Sequence, residues 1–60
     1  MASIKKGDTL SFMVDAKMKP FEVVSVFEHY AEITIRSLDL EMETKINKST
    51  WIRQKEILNK

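Results

Sequence analysis

The side chains able to do chemistry are few, and they are scattered along the sequence. One histidine, His29, stands between Glu28 and Tyr30. Glu-His-Tyr contains the right groups for proton transfer, but neighbouring residues in a strand or turn point to different sides, so adjacency does not make a triad. His29 reads as a solvated turn residue. Glu41 and Glu43 fall on one face if their segment is a strand, and two carboxylates there could hold Mg²⁺ or Ca²⁺. No loop with ligand spacing surrounds them, so a solvated edge is the plainer reading. One histidine and no cysteine leave no zinc site with nitrogen or sulfur ligands. No glycine-rich phosphate loop and no recognisable nucleophile setting occur. The chain therefore reads as a non-enzyme without metal or small-molecule cofactor.

Charge is uneven. Lys5, Lys6, Lys17 and Lys19 against Asp8 and Asp15 leave +2 over residues 1–19. Arg36 against Glu22, Glu28, Glu32, Asp39, Glu41 and Glu43 leaves −5 over residues 20–43. Lys45, Lys48, Arg53, Lys55 and Lys60 against Glu56 leave +4 over residues 44–60. Basic residues Lys45, Lys48, Arg53 and Lys55 flank Trp51, with Lys17 and Lys19 in a first long loop. Lysines for phosphates beside an aromatic for bases are the ingredients of nucleic-acid binding. A net charge of only +1 weakens long-range attraction to phosphate. Nucleic acid, RNA or DNA, is thus the second of two partner classes.

The first class is protein. Apolar side chains outnumber the places inside so small a domain, and a contiguous exposed patch marks an interaction surface. Phe27, Tyr30, Leu40, Met42 and Trp51 are the candidates, with Met13 and Met18 as further adaptable contacts. A protein partner and a homo-oligomer are equally served by such a patch.

Sixty residues make one domain, covering 1–60. A chain this short buries about 60% of the surface exposed when unfolded, so its stability is marginal. Without cysteine it has no disulfide to lean on, which agrees with a reducing cytoplasm. No apolar run approaches the 18 or so residues of a spanning helix. Met1-Ala2-Ser3-Ile4-Lys5-Lys6 lacks the apolar stretch of a signal peptide, and the expected location is cytoplasmic.

The hydrophobic period is two. Leu10, Phe12 and Val14 alternate with Thr9, Ser11 and Met13, after a turn at Gly7-Asp8. Phe21 to Phe27 forms a second run behind Pro20, with Phe21, Val23, Ser25 and Phe27 on one face and Val24 and Val26 on the other. Glu28-His29-Tyr30 makes a tight connection. Ala31, Ile33 and Ile35 alternate with Glu32, Thr34 and Arg36, and the pattern continues past a bend at Ser37 to Glu41 into Met42, Thr44 and Ile46. Near the end, Ser49 or Thr50 caps one helical turn and Ile57-Leu58 adds a closing strand. A single helix from Trp51 to Leu58 is the competing reading, with its apolar residues at poor helical spacing. The expectation is an all-β barrel of four or five antiparallel strands, with Leu10, Phe12, Val23, Ile33, Ile35 and Ile46 in the core.

Lys6-Gly7-Asp8-Thr9-Leu10-Ser11-Phe12 resembles the opening of SH3-like barrels of the KOW type. Phe21 to Val26 is similar to their second strand and Ala31 to Ile35 to their third. Length and strand order also resemble the short YkvS-like bacterial proteins. The resemblance implies an SH3-like barrel and covers residues 5 to about 47. The glycine that KOW sequences place before the second strand is absent from Asp15-Ala16-Lys17-Met18-Lys19-Pro20. No functional residue carries over.

Overall fold

The structure is a computed structural model that describes residues 3–59; Met1, Ala2 and Lys60 lie outside it. Four strands follow one another in the chain: β1 (Thr9–Val14), β2 (Lys17–Val26), β3 (Glu32–Ser37) and β4 (Glu43–Asn47). The helix α1 (Lys48–Leu58) ends the chain. The strands form one antiparallel sheet in the order β1-β2-β3-β4. The sheet is open, with β1 and β4 at its two edges, and α1 packs against both edge strands on one face.

The turn into β1 is the one that Gly7-Asp8 predicts. Asp8 N–H donates to the Lys5 carbonyl at 3.0 Å and Lys5 N–H to Asp8 Oδ2 at 2.9 Å. Gly7 takes φ +95°, the third position of a type II turn, where a side chain is strained.

The expected first long loop is a two-residue hairpin. Asp15 (φ 51°) and Ala16 (φ 66°) form a type I′ turn, whose twist matches that of the strands it joins. Lys17, Met18, Lys19 and Pro20 therefore belong to β2, paired with Val14, Met13, Phe12 and Ser11. Pro20 is tolerated inside a strand because it sits beyond the end of β3. Its carbonyl accepts from Leu38 N–H at 3.1 Å, and only the return bond is missing.

A β-bulge interrupts β2. Val23 pairs with Ile35 and Ser25 with Thr34, so Val24 is the extra residue. The two-residue period is thereby shifted by one position. Val26, expected on the face opposite Val23, packs against the same core, and the alternation ascribed to Phe21–Phe27 holds only as far as Val23.

The core consists of Val23, Ile33, Ile35 and Trp51, with Ile4, Leu10, Phe12, Phe21, Val26 and Ile46 packed around it. Of the six residues expected there, Val23, Ile33 and Ile35 are buried, and Leu10, Phe12 and Ile46 pack half-buried against them. Trp51 is what the alternation alone does not place. It is 1% exposed and its ring lies 5.6 Å from that of Phe12, tilted by 47°, while Phe12 meets Phe21 edge-on at 5.7 Å.

No closing strand forms at Ile57-Leu58. β4 passes at Asn47 (φ −70°, ψ 144°) straight into α1. The helix needs no continuous apolar stripe because one large side chain, Trp51, anchors it. Ile52, Gln54 and Lys55 are half-buried beside it, while Ile57 and Leu58 stay exposed. Tertiary burial overrides a poor helical pattern.

Candidate functional site

A meander puts successive connections at opposite ends of the sheet. The β2–β3 connection carries Phe27 and Tyr30, and the β3–β4 connection carries Leu40 and Met42. The surface candidates thus divide into two groups at opposite ends.

At the first end, the turn after β2 is closed by Tyr30 N–H donating to the Phe27 carbonyl at 3.2 Å. This brings the two rings edge to face at 5.6 Å, with Phe27 59% and Tyr30 65% exposed. Lys48, at the first turn of α1, fixes the turn from below. Its Nζ donates to the Phe27 carbonyl at 2.7 Å and to the Glu28 carbonyl at 3.3 Å, and its N–H donates to the Ala31 carbonyl at 2.8 Å. An open cleft of about 490 Å³ lies beside the rings, bordered by His29, Glu32, Thr34 and Lys45. Its walls are mixed, with one acid, Glu32, one lysine, Lys45, and the Phe27 and Tyr30 rings.

At the other end, the loop after β3 is ordered by the buried Ser37. Its Oγ accepts from Leu40 N–H at 3.2 Å, its carbonyl from Glu41 N–H at 2.8 Å, and its N–H donates to the Met42 carbonyl at 2.9 Å. Leu38, Leu40 and Met42 are left outside, as are Met13 and Met18, which face each other across the β1–β2 hairpin. The bond from Leu38 to Pro20 places the two loops side by side. Glu41 sits in this loop at φ 55°, off the strand that holds Glu43, so the pair of acids does not share a strand face. Among the described residues no group of three histidine, cysteine, aspartate or glutamate side chains could hold a metal ion.

Trp51 does not belong to either surface group, being enclosed by the core. The basic candidates are spread over both faces. Lys17 and Lys19 pair with Val14 and Phe12, on the side of the sheet that bears the helix. Arg53 is exposed on α1, and Lys55 lies half-buried near Asp8 and Leu10. Lys45 is on the opposite face, and Lys48 is committed to the turn carbonyls. Among the described residues no exposed ring accompanies the basic residues of the helix side, since Trp51, Phe12 and Phe21 all pack into or against the core.

The opposite face carries the Arg36–Glu22 ion pair at 3.1 Å, with Glu43 next to Arg36 across β3 and β4. No helix of the described residues is long and apolar enough to cross a membrane. Comparison of the chain with protein-family models, with curated proteins and with solved structures found no match.

Proposed function

We propose that the chain is a small non-catalytic protein-binding module of the cytoplasm that anchors its partner on the Phe27–Tyr30 turn. One observation carries this reading: two large rings stand more than half exposed on a turn closed by the Tyr30 N–H and held by two hydrogen bonds from Lys48 Nζ. Aromatic side chains are the commonest anchors of protein interfaces. Holding them in place before binding removes part of the ordering cost that association otherwise carries. The mixed lining of the adjoining cleft suits a polypeptide with both apolar and polar groups. For the fold, we propose kinship with SH3-like barrels, supported by the Gly7-Asp8 turn into β1 and the meander with a bulged second strand.

Nucleic acid is the second reading, favoured by the position of Lys17, Lys19, Arg53 and Lys55 on the helix side. It ranks lower because that side offers phosphate contacts without an exposed ring on which bases could stack.

A photoreactive phenylalanine placed at position 27 and activated in living cells tests the first reading. A discrete cross-linked protein is expected, competed away by excess wild-type chain but not by the Tyr30→Ala variant. Absence of any cross-link, or competition by both proteins alike, refutes it.

A further inference from the structure

The two edges of the sheet are not equivalent. On β1 the outward-facing carbonyl of Ser11 is occupied by the side chain of Gln54, at 2.9 Å. On β4 no further strand among the described residues pairs with the outer edge, and Glu43, Thr44, Lys45 and Asn47 are exposed. We propose that a second copy of this chain covers it, by antiparallel pairing of β4 with β4 about a two-fold axis at Thr44.

The hydrogen-bond phase restricts the possible registers. Ser37 N–H donates to the Met42 carbonyl at 2.9 Å, and Lys48 N–H to the Ala31 carbonyl at 2.8 Å. Residues alternate along an antiparallel ladder between bonded and unbonded pairs. Met42, Thr44, Ile46 and Lys48 therefore turn their backbone groups toward β3, while Glu43, Lys45 and Asn47 turn theirs outward. A two-fold pairing must join odd residues to odd residues.

Few registers satisfy that rule, and charge separates them. Centring on Glu43 or on Lys45 sets like charges opposite each other, which is destabilising. Centring on Ile46 leaves Lys45 against Asn47, without a charge partner. Centring on Thr44 sets Glu43 against Lys45 twice, on the face away from the helix. In the same register Met42, 66% exposed, meets Ile46 of the other copy on the helix side. Met42-Glu43-Thr44-Lys45-Ile46 is thus complementary to its own reverse in size and in charge. Glu41, at φ 55°, ends the extended backbone, so the pairing stops at these five residues. The result is one continuous sheet built from both copies. The Phe27–Tyr30 rings take no part in it, so the dimer does not depend on the partner-binding reading above.

Charge exchange supplies the test, read by sedimentation equilibrium at low ionic strength. The wild-type chain is expected to approach twice its monomer mass with rising concentration, with a dissociation constant of about 10 µM to 1 mM, as befits a small interface. Glu43→Lys and Lys45→Glu should each weaken the dimer by about tenfold or more, since each replaces both attractive pairs with repulsive ones. An equal mixture of the two variants should associate again, as should the double variant E43K/K45E. Hydrogen exchange gives a reading without mutation: the Lys45 amide should become protected as concentration rises, while the Thr44 amide, bonded to β3, is protected throughout. A wild-type chain that stays monomeric at about 1 mM overturns the proposal. So do single variants that dimerise like the wild type, a mixture that does not associate, or a Lys45 amide whose exchange ignores concentration. Tyr30→Ala should sediment as the wild type does, so failure of the cross-linking experiment leaves these outcomes unaffected.

Discussion

Gln54 donates from Nε2 to the main-chain carbonyl of Ser11 at 2.9 Å, tying the helix to the outer edge of β1. Ser11 stands opposite Pro20 in the register of β1 and β2. Its carbonyl faces outward because bonded and unbonded pairs alternate along the ladder, as the bond from Val23 N–H to the Asp8 carbonyl, at 2.9 Å, shows. Replacing Gln54 with alanine should cost about 1 kcal/mol, the usual net value of one such bond. Urea unfolding followed by tryptophan fluorescence would show the midpoint fall with an unchanged slope. An unaltered midpoint would mean that the bond contributes nothing.

Trp51 ties the helix to the sheet. Removing a buried tryptophan down to alanine costs about 3–5 kcal/mol. A domain of this length has a total stability of only about 3–9 kcal/mol. Trp51→Ala should therefore be largely unfolded at 37 °C, visible as lost far-ultraviolet ellipticity and amide dispersion. A folded variant that has lost only a binding activity would place Trp51 at a surface instead.

The β1–β2 turn holds two residues with side chains, Asp15 and Ala16, at positive φ. Each pays the steric penalty that glycine escapes. Ala16→Gly should raise stability by about 0.5–1 kcal/mol, the left-handed strain relieved exceeding the extra entropy of the unfolded chain. Thermal unfolding by calorimetry checks it, with a rise of several degrees expected for a domain this small. Gly7→Ala goes the other way. The site has open space for the methyl group, so the loss of about 1–2 kcal/mol would come from φ +95° alone.

Lys48 connects the helix to the aromatic turn. Lys48→Met keeps the length of the side chain and removes the donor to Phe27 and Glu28. The stability loss should stay near about 1 kcal/mol because the bonds are exposed, whereas the turn itself should loosen. Faster amide exchange at Tyr30, with the core amides of Ile33 and Ile35 little changed, is the expected pattern. Equal acceleration at all three would show a global rather than local effect.

The Arg36–Glu22 pair lies on a half-exposed face, with 42% and 30% of the two side chains accessible. Such a pair contributes about 0.2–1 kcal/mol and is screened by salt. Glu22→Gln should lose no more than that, and the difference from wild type should vanish in about 1 M salt.

Much of the sheet is legible in the residues themselves. A period of two in Leu10-Phe12-Val14 and in Ile33-Ile35 requires strands with one buried face, and it places Leu10, Phe12, Ile33 and Ile35 in or against the core. Gly7-Asp8 demands a turn because only glycine adopts φ +95° without strain. What lies beyond local pattern is of three kinds. The bulge at Val24 changes which face Val26 occupies, and one unpaired residue leaves no mark in composition. The hairpin at Asp15-Ala16 lacks the glycine that signals a type I′ turn, so pairing between β1 and β2, rather than propensity, imposes it. The helix from Lys48 to Leu58 has no regular apolar stripe, and forms because the space over Phe12 accepts Trp51. The same geometry divides the surface: Phe27 and Tyr30 stand at one end, Leu40 and Met42 at the other, and Trp51 is withdrawn from both. The amino-acid sequence determined the alternation, and with it the strands and most of the core, because a pleated strand has a fixed two-residue period. Only the tertiary structure decided which aromatic residues are buried and which edge stays open, because those depend on contacts between segments far apart in the chain.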